Sequence, residues 1–142
     1  MKKIILDLCG GTGSWSLPYE KSQKYQVFNL TLPEWDIRRI RLTEGGWIMI
    51  ENSNLKKTSF QIMAKDVYGI FAAPPCTQFS FARTNAKIPR NLREGMEIVN
   101  KCLEIIQFCL YEIKSDQQKY PALKFWALEN PYYGMLRWFL GK

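Results

Sequence analysis

Three short apolar runs in this chain each stop at residues that cannot continue a strand. Residues 3–8 (KIILDL) run into Cys9-Gly10-Gly11-Thr12-Gly13, residues 67–73 (VYGIFAA) into Pro74-Pro75, and residues 124–128 (KFWAL) into Glu129-Asn130-Pro131. Short, nearly continuous apolar runs are the pattern of strands buried on both faces, as in a parallel sheet covered by helices. Over 92 to about 114, Met96, Val99, Leu103, Ile106, Leu110 and Ile113 recur at helical spacing and predict one long amphipathic helix, in which Cys102 and Cys109 are core residues. A further strand is expected over 25–32 (YQVFNLTL), stopped by Pro33. The runs 47–51 (WIMIE) and 59–63 (SFQIM) flank a polar stretch and predict a hairpin. Strands alternating with helical segments predict an α/β architecture: a mostly parallel sheet with helices on both faces. No repeat, low-complexity tract or linker divides the chain, and 142 residues suit one domain, 1–142.

Composition removes several chemistries. Histidine is absent, so neither a Ser-His-Asp nor a Cys-His hydrolase can be assembled, nor a zinc site with histidine ligands. The four cysteines, Cys9, Cys76, Cys102 and Cys109, show no two-residue spacing of the kind that marks a zinc knuckle or a redox motif. Free thiols in a reducing, cytoplasmic setting are the simpler expectation. The opening MKKIILDLCGG resembles a secretion signal only briefly, since Asp7 interrupts the apolar run, and no stretch approaches the ~20 apolar residues of a membrane span. The net charge of +7 favours an acidic partner, nucleic acid being the commonest.

Ligands of open α/β sheets collect beyond the carboxyl ends of the strands, and all three breaks fall there. Glycines at 10, 11 and 13 permit a tight turn and close backbone approach to a ligand, and a helix opening from Ser14 onward would aim its first amides at it. The dinucleotide fingerprint is not met, because position 16 is serine, and a purely structural turn has the same composition. Pro74 and Pro75 fix the chain just before Cys76. Such a rigid mount suits a nucleophile that must reach one atom, with Arg83 as a candidate to favour its thiolate. Glu129 follows an apolar strand directly, where a carboxyl must be paired, solvated or used as a proton donor.

Taken in order, the three stretches resemble the DNA cytosine-5 methyltransferase family. Asp-Leu-x-x-Gly-x-Gly is similar to its S-adenosylmethionine loop, on Asp7, Leu8, Gly11 and Gly13. Pro-Pro-Cys-x-x-Phe-Ser is similar to its nucleophile loop, on Pro74, Pro75, Cys76, Phe79 and Ser80. Glu-Asn-Pro is similar to its Glu-Asn-Val motif, on Glu129, Asn130 and Pro131. The resemblance implies a Rossmann-like methyltransferase fold, and catalysis by Cys76, Glu129, Asn130 and Ser80. It also implies an S-adenosylmethionine site on Asp7, Cys9, Gly11, Thr12, Gly13, Ser14, Trp15, Asp36 and Pro75. The substrate it implies is double-stranded DNA with the target base flipped out. Arg83, Arg90 and Arg93 are candidate phosphate contacts, although each is equally readable as a solvated surface charge.

The chain also departs from that family. Cys9 stands where phenylalanine is usual, and Ser14-Trp15 where Gly-Phe is usual. Thr31 occupies the region of an acidic residue that grips the ribose, with Glu34 nearby. Thr77 after the nucleophile resembles a phage-type variant. The family's target-recognition region and closing helix have no counterpart after Glu-Asn-Pro, so a fold incomplete at the C-terminus is expected, with a partner chain or further segment supplying target recognition. A catalytically inactive remnant that binds nucleic acid, and an RNA cytosine-5 methyltransferase, are the alternative readings.

Overall fold

A computed structural model describes residues 1–53, 59–79, 87–111, 123–130 and 134–141. Four strands form one parallel sheet: β1 (Lys3–Leu8), β2 (Tyr25–Leu30), β6 (Val67–Ala72) and β7 (Phe125–Leu128), in the order β2-β1-β6-β7. The three apolar runs that end at breakers are therefore strands, lying side by side. Residues Ile5, Leu6, Leu8, Ile70 and Ala72 are fully buried, as the lack of polar alternation in these runs requires.

The two faces are covered differently. Leu6, Leu8, Leu30, Ile70 and Ala72 join one core cluster with Cys102, Ile105, Ile106 and Cys109 of α2 (Leu92–Tyr111). The opposite face carries an aromatic layer. Phe71 lies 4.7 Å from the Trp15 ring and 5.6 Å from that of Tyr19, which belongs to the four-residue α1 (Leu17–Glu20), and Phe125 lies 5.3 Å away. Asp7 pairs with Phe71 in the ladder and shares its face, because side chains alternate along a strand.

The predicted hairpin is present as β4 (Trp47–Ile50) against β5 (Phe60–Met63), antiparallel with Ile48 opposite Ile62. A two-residue strand, β3 (Arg41–Leu42), extends it to a three-stranded sheet, and Ile48, Ile50 and Ile62 pack into the same core as α2. This small sheet, with the 3-10 turn Ile37–Arg39, fills the connection from β2 to β6. The helix expected over 92–114 is described as far as Tyr111, with residues 112–122 outside the described set. Its buried stripe is Gly95, Val99, Cys102, Ile105, Ile106 and Cys109, while Leu103 and Leu110 are only partly buried. Cys102 and Cys109 are buried as expected, packing as small hydrophobes, and Leu103 and Leu110 flank the stripe they form with Val99, Ile105 and Ile106. The helix expected from Ser14 onward begins only at Leu17 and spans one turn. No described helix is long and apolar enough to cross a membrane.

Candidate functional site

The ladder registers place four strand ends in one row. Leu8 pairs with Leu30 on one side and with Ala72 on the other, and Ala72 pairs with Leu128. The next residues along each strand, Thr31, Cys9, Ala73 and Glu129, therefore leave the sheet together. Backbone bonds continue the row: Cys9 N–H donates to Leu30 O (2.9 Å), Ala73 N–H to Leu8 O (2.9 Å) and Glu129 N–H to Ala72 O (2.8 Å). The chain passes from β1 outward to β2 and then returns to the other side of β1 at β6. The glycine loop and the Pro-Pro-Cys loop thus flank a point where the strand order reverses, the usual crevice of such sheets.

The glycine loop is held by its neighbours on β2. Gly11 N–H donates to Thr31 Oγ1 (3.2 Å), Asn29 Nδ2 donates to Gly11 O (3.0 Å), and Gly13 N–H closes a turn on Gly10 O (2.9 Å). Cys9, Gly11 and Gly13 all adopt positive φ, at 60°, 57° and 78°. Beneath the loop, Asp7 is fully buried and accepts a hydrogen bond from Ser16 Oγ, and burial pushes its carboxyl above the ordinary carboxylate range. Asp7 Oδ1 and Asn29 Oδ1 are buried acceptors without a partner. Both crowd Gly10: a Cβ there would collide with the Asp7 carboxyl and lie 2.6 Å from Asn29 Oδ1. Thr12 and Ser14 are exposed, their hydroxyls 2.9 Å apart.

Two expected cofactor residues are engaged within the protein. Trp15 packs on Phe71. Asp36 caps the 3-10 turn at Arg38 N (3.0 Å) and takes the Arg38 guanidinium at 2.7 Å, which holds its carboxyl below the usual range. Thr31, expected near the ribose, instead anchors Gly11 through its hydroxyl.

On the far side of the crevice Pro74 is buried, Pro75 exposed and Cys76 half-buried. Asn130 Nδ2 donates to Pro74 O (3.2 Å), joining the third motif to the second, and Asn130 Oδ1 is buried without a partner. Glu129 is exposed, so it is not a carboxyl forced into an apolar interior. After Cys76 the chain makes a turn, with Phe79 N–H on Cys76 O (2.9 Å), and Phe79 is fully buried against Gly95 of α2. Arg90 Nη1 contacts Gln78 O (3.1 Å) and Met135 Sδ (2.6 Å), while Asn91 N–H donates to Gln78 Oε1 (2.6 Å). Arg90 thus ties down the cysteine loop, a role the sequence did not reveal. Arg93 is exposed, with Glu97 at 3.8 Å. Ser80, Arg83 and Pro131 lie outside the described residues. A separate cavity of about 580 Å³ is lined by Leu42, Thr43, Glu44, Glu104, Gln107, Phe108 and Tyr111, none of them a sequence-predicted site residue.

No family model, no curated protein and no solved structure matches this chain. Among the described residues, no group of three or more His, Cys, Asp or Glu side chains is placed to hold a metal ion.

Proposed function

We propose that the chain is the catalytic core of a methyltransferase acting on carbon 5 of cytosine in DNA, with S-adenosylmethionine as methyl donor. The observation that carries this reading is the shared row of strand ends. It sets a glycine-rich loop, a proline-mounted cysteine and a Glu-Asn pair at one edge of a parallel sheet, across the point where the strand order reverses.

A Cβ on Gly11 would meet nothing within 4 Å, so the backbone there is open to a ligand, and the positive-φ residues keep the loop turned tightly. These features fit a bound nucleoside. The grip on the ribose is weaker than in the family, because Thr31 stands in place of an acidic residue and its hydroxyl is committed to Gly11. S-adenosylmethionine, when bound, supplies an electrophilic methyl group.

The remaining chemistry belongs to the chain. Carbon 5 of cytosine is too electron-poor to take a methyl group unaided. In this reading the Cys76 thiolate adds to carbon 6, which interrupts the aromatic ring and makes carbon 5 nucleophilic. Glu129 donates a proton to ring nitrogen 3 as negative charge develops there, and its exposure leaves it accessible to a base flipped from the duplex. Asn130, through Pro74 O, keeps the glutamate strand end and the cysteine loop in fixed relation. After methyl transfer, loss of the carbon-5 proton and expulsion of the Cys76 sulfur restore the ring.

The decisive experiment incubates the protein with S-adenosylmethionine and a duplex containing 5-fluorocytosine, where fluorine cannot leave as a proton does. A band surviving denaturing electrophoresis is expected with the native chain and none with Cys76→Ala. Absence of the band together with no S-adenosylmethionine binding at millimolar concentration overturns the reading.

A further inference from the structure

We propose that Arg38 is a positioning residue for the reaction. Its guanidinium is shared between Asp36, beside the glycine loop, and Glu94, at the start of α2, so that a ligand engaging Asp36 shifts the loop that carries Cys76. The inference rests on the methyltransferase reading and deepens it.

Residues 36–38, 78 and 91–94 lie in three separate segments of the chain, and the fold joins them contact by contact. After β2 the chain turns, with Trp35 N–H on Thr31 O (3.0 Å), and the Thr31 hydroxyl is the group that takes Gly11 N–H (3.2 Å). Asp36 therefore follows directly on the turn that anchors the glycine loop. Its Oδ1 caps the 3-10 turn at Arg38 N–H (3.0 Å). The Arg38 side chain folds back on the same carboxylate, Nε to Oδ1 at 2.9 Å and Nη2 to Oδ2 at 2.7 Å. A guanidinium gripping both oxygens at these lengths is the strong form of ion pair.

The other terminal nitrogen faces α2. Arg38 Nη1 lies 3.8 Å from Glu94 Oε1, within ion-pair range but too long for a hydrogen bond. Glu94 is in the first turn of α2, where its N–H donates to Asn91 Oδ1 (3.0 Å) and its Oε2 lies 3.5 Å from Asn91 Nδ2. Asn91 N–H donates in turn to Gln78 Oε1 (2.6 Å), and Gln78 lies in the turn that Phe79 N–H closes on Cys76 O (2.9 Å). Packing fixes both banks of this bridge: Ile37 shares the core of α2, and Lys101 Nζ on that helix donates to Ile40 O (3.2 Å). Polar contacts thus run from Asp36 to the cysteine loop, the widest step being Arg38 to Glu94.

That gap gives Arg38 two arrangements. In the first the guanidinium stays on Asp36. In the second, an amine or hydroxyl of a bound nucleoside donates to the Asp36 carboxylate, competes for the same oxygens, and the displaced charge closes on Glu94. The ligand's contact with Asp36 in only one arrangement is what drives the shift. Closing from 3.8 Å to about 2.9 Å is a movement of about 1 Å. Misplacing a reacting group on that scale costs on the order of 10²-fold in rate.

Two readouts are taken on the native chain, Arg38→Ala, Glu94→Gln and the double variant. One is S-adenosylmethionine affinity by calorimetry; the other is the rate of the 5-fluorocytosine adduct at saturating cofactor. Arg38→Ala frees Asp36 for the ligand, so affinity is expected to rise about fivefold while the adduct forms about tenfold more slowly. Glu94→Gln keeps the size and the reach to Asn91 but removes the charge that receives Arg38. Affinity is then expected to fall about fivefold, with the same slowing of the adduct. The double variant should bind like Arg38→Ala and react no more slowly than either single variant. A lesion that is merely structural lowers affinity and rate together in every variant, and that pattern overturns the proposal. Slowing factors that multiply in the double variant overturn it too, as do native adduct rates in either single variant. A native chain that neither binds S-adenosylmethionine nor forms the adduct removes the methyltransferase reading and this inference with it. A native chain that does both, with independent effects of the two substitutions, removes the inference alone.

Discussion

Asp7 illustrates how one residue can be essential to a loop and costly to the fold. Its carboxyl is fully buried, one oxygen receives Ser16 Oγ, and the other has no partner beside the equally unpartnered Asn29 Oδ1. A buried acceptor left unsatisfied costs about 1–3 kcal/mol. Asp7→Asn keeps the shape and adds an N–H₂ group facing that vacant acceptor, so a stability gain of about 1–2 kcal/mol at neutral pH is expected. The dependence on pH follows from the upward displacement of the Asp7 carboxyl from its ordinary 3.8. In the window above 3.8 the folded chain binds this proton more strongly than the unfolded one, so stability falls as pH rises through it. The cost is fully present above the raised folded value and disappears below 3.8. The advantage of Asp7→Asn should therefore narrow as the pH is lowered from neutrality toward ~4, which thermal melts of both proteins will measure. A gain that is the same at every pH contradicts this account.

Among the elements, α2 does more than cover the sheet. Its N-terminal end carries the cysteine loop: Arg90 and Asn91, just before the helix, hold Gln78, and Gly95 in the first turn makes room for Phe79. A Cβ at Gly95 would stand 2.9 Å from the Phe79 ring and 3.1 Å from Gln78 Cβ. Alanine is the better helix former by about 1 kcal/mol, but overpacking at a closed contact costs about 1–3 kcal/mol. Gly95→Ala is expected to lower the melting temperature despite its helix propensity. It should also slow formation of the 5-fluorocytosine adduct more than it weakens cofactor binding, since Cys76 is displaced and the glycine loop is not. An unchanged adduct rate would show that α2 does not position Cys76. This coupling was not legible in the sequence, whereas the strands themselves were. KIILDL and KFWAL announce their ends because Cys-Gly-Gly or Glu-Asn-Pro follows at once, and period alone located α2. β3 has two residues and α1 one turn, too short for any periodicity to declare them. At the site, the motifs fixed which residues reach the edge of the sheet. They did not disclose that Thr31 holds Gly11 or that Asn130 reaches Pro74 O, because each contact joins segments whose separation in space only the sheet order sets.

On the scale of the whole molecule, a chain with 20 Lys and Arg against 13 Asp and Glu should attract DNA through its phosphates before any base is read. The two described arginines proposed for this purpose differ in kind. Arg93 is exposed, and its pairing with Glu97 at 3.8 Å is a surface contact worth little. Arg90 is turned into the protein against Gln78 O and Met135 Sδ. Salt dependence separates them, since each neutralised phosphate adds about 0.9 to the slope of log affinity against log salt, whereas an internal tether adds nothing. With about five phosphates contacted, affinity for a short duplex should fall roughly 500-fold between 50 and 200 mM salt. Arg93→Ala should reduce that slope by about 0.9. Arg90→Ala should leave the slope unchanged while retarding the reaction of Cys76 with 5-fluorocytosine DNA, and Arg90→Lys should restore part of that rate by reaching Gln78 O with a single donor. Equal slope changes for both alanine variants would instead make Arg90 a phosphate contact, and a slope near zero for the native chain would remove DNA as the partner that its charge is meant to attract.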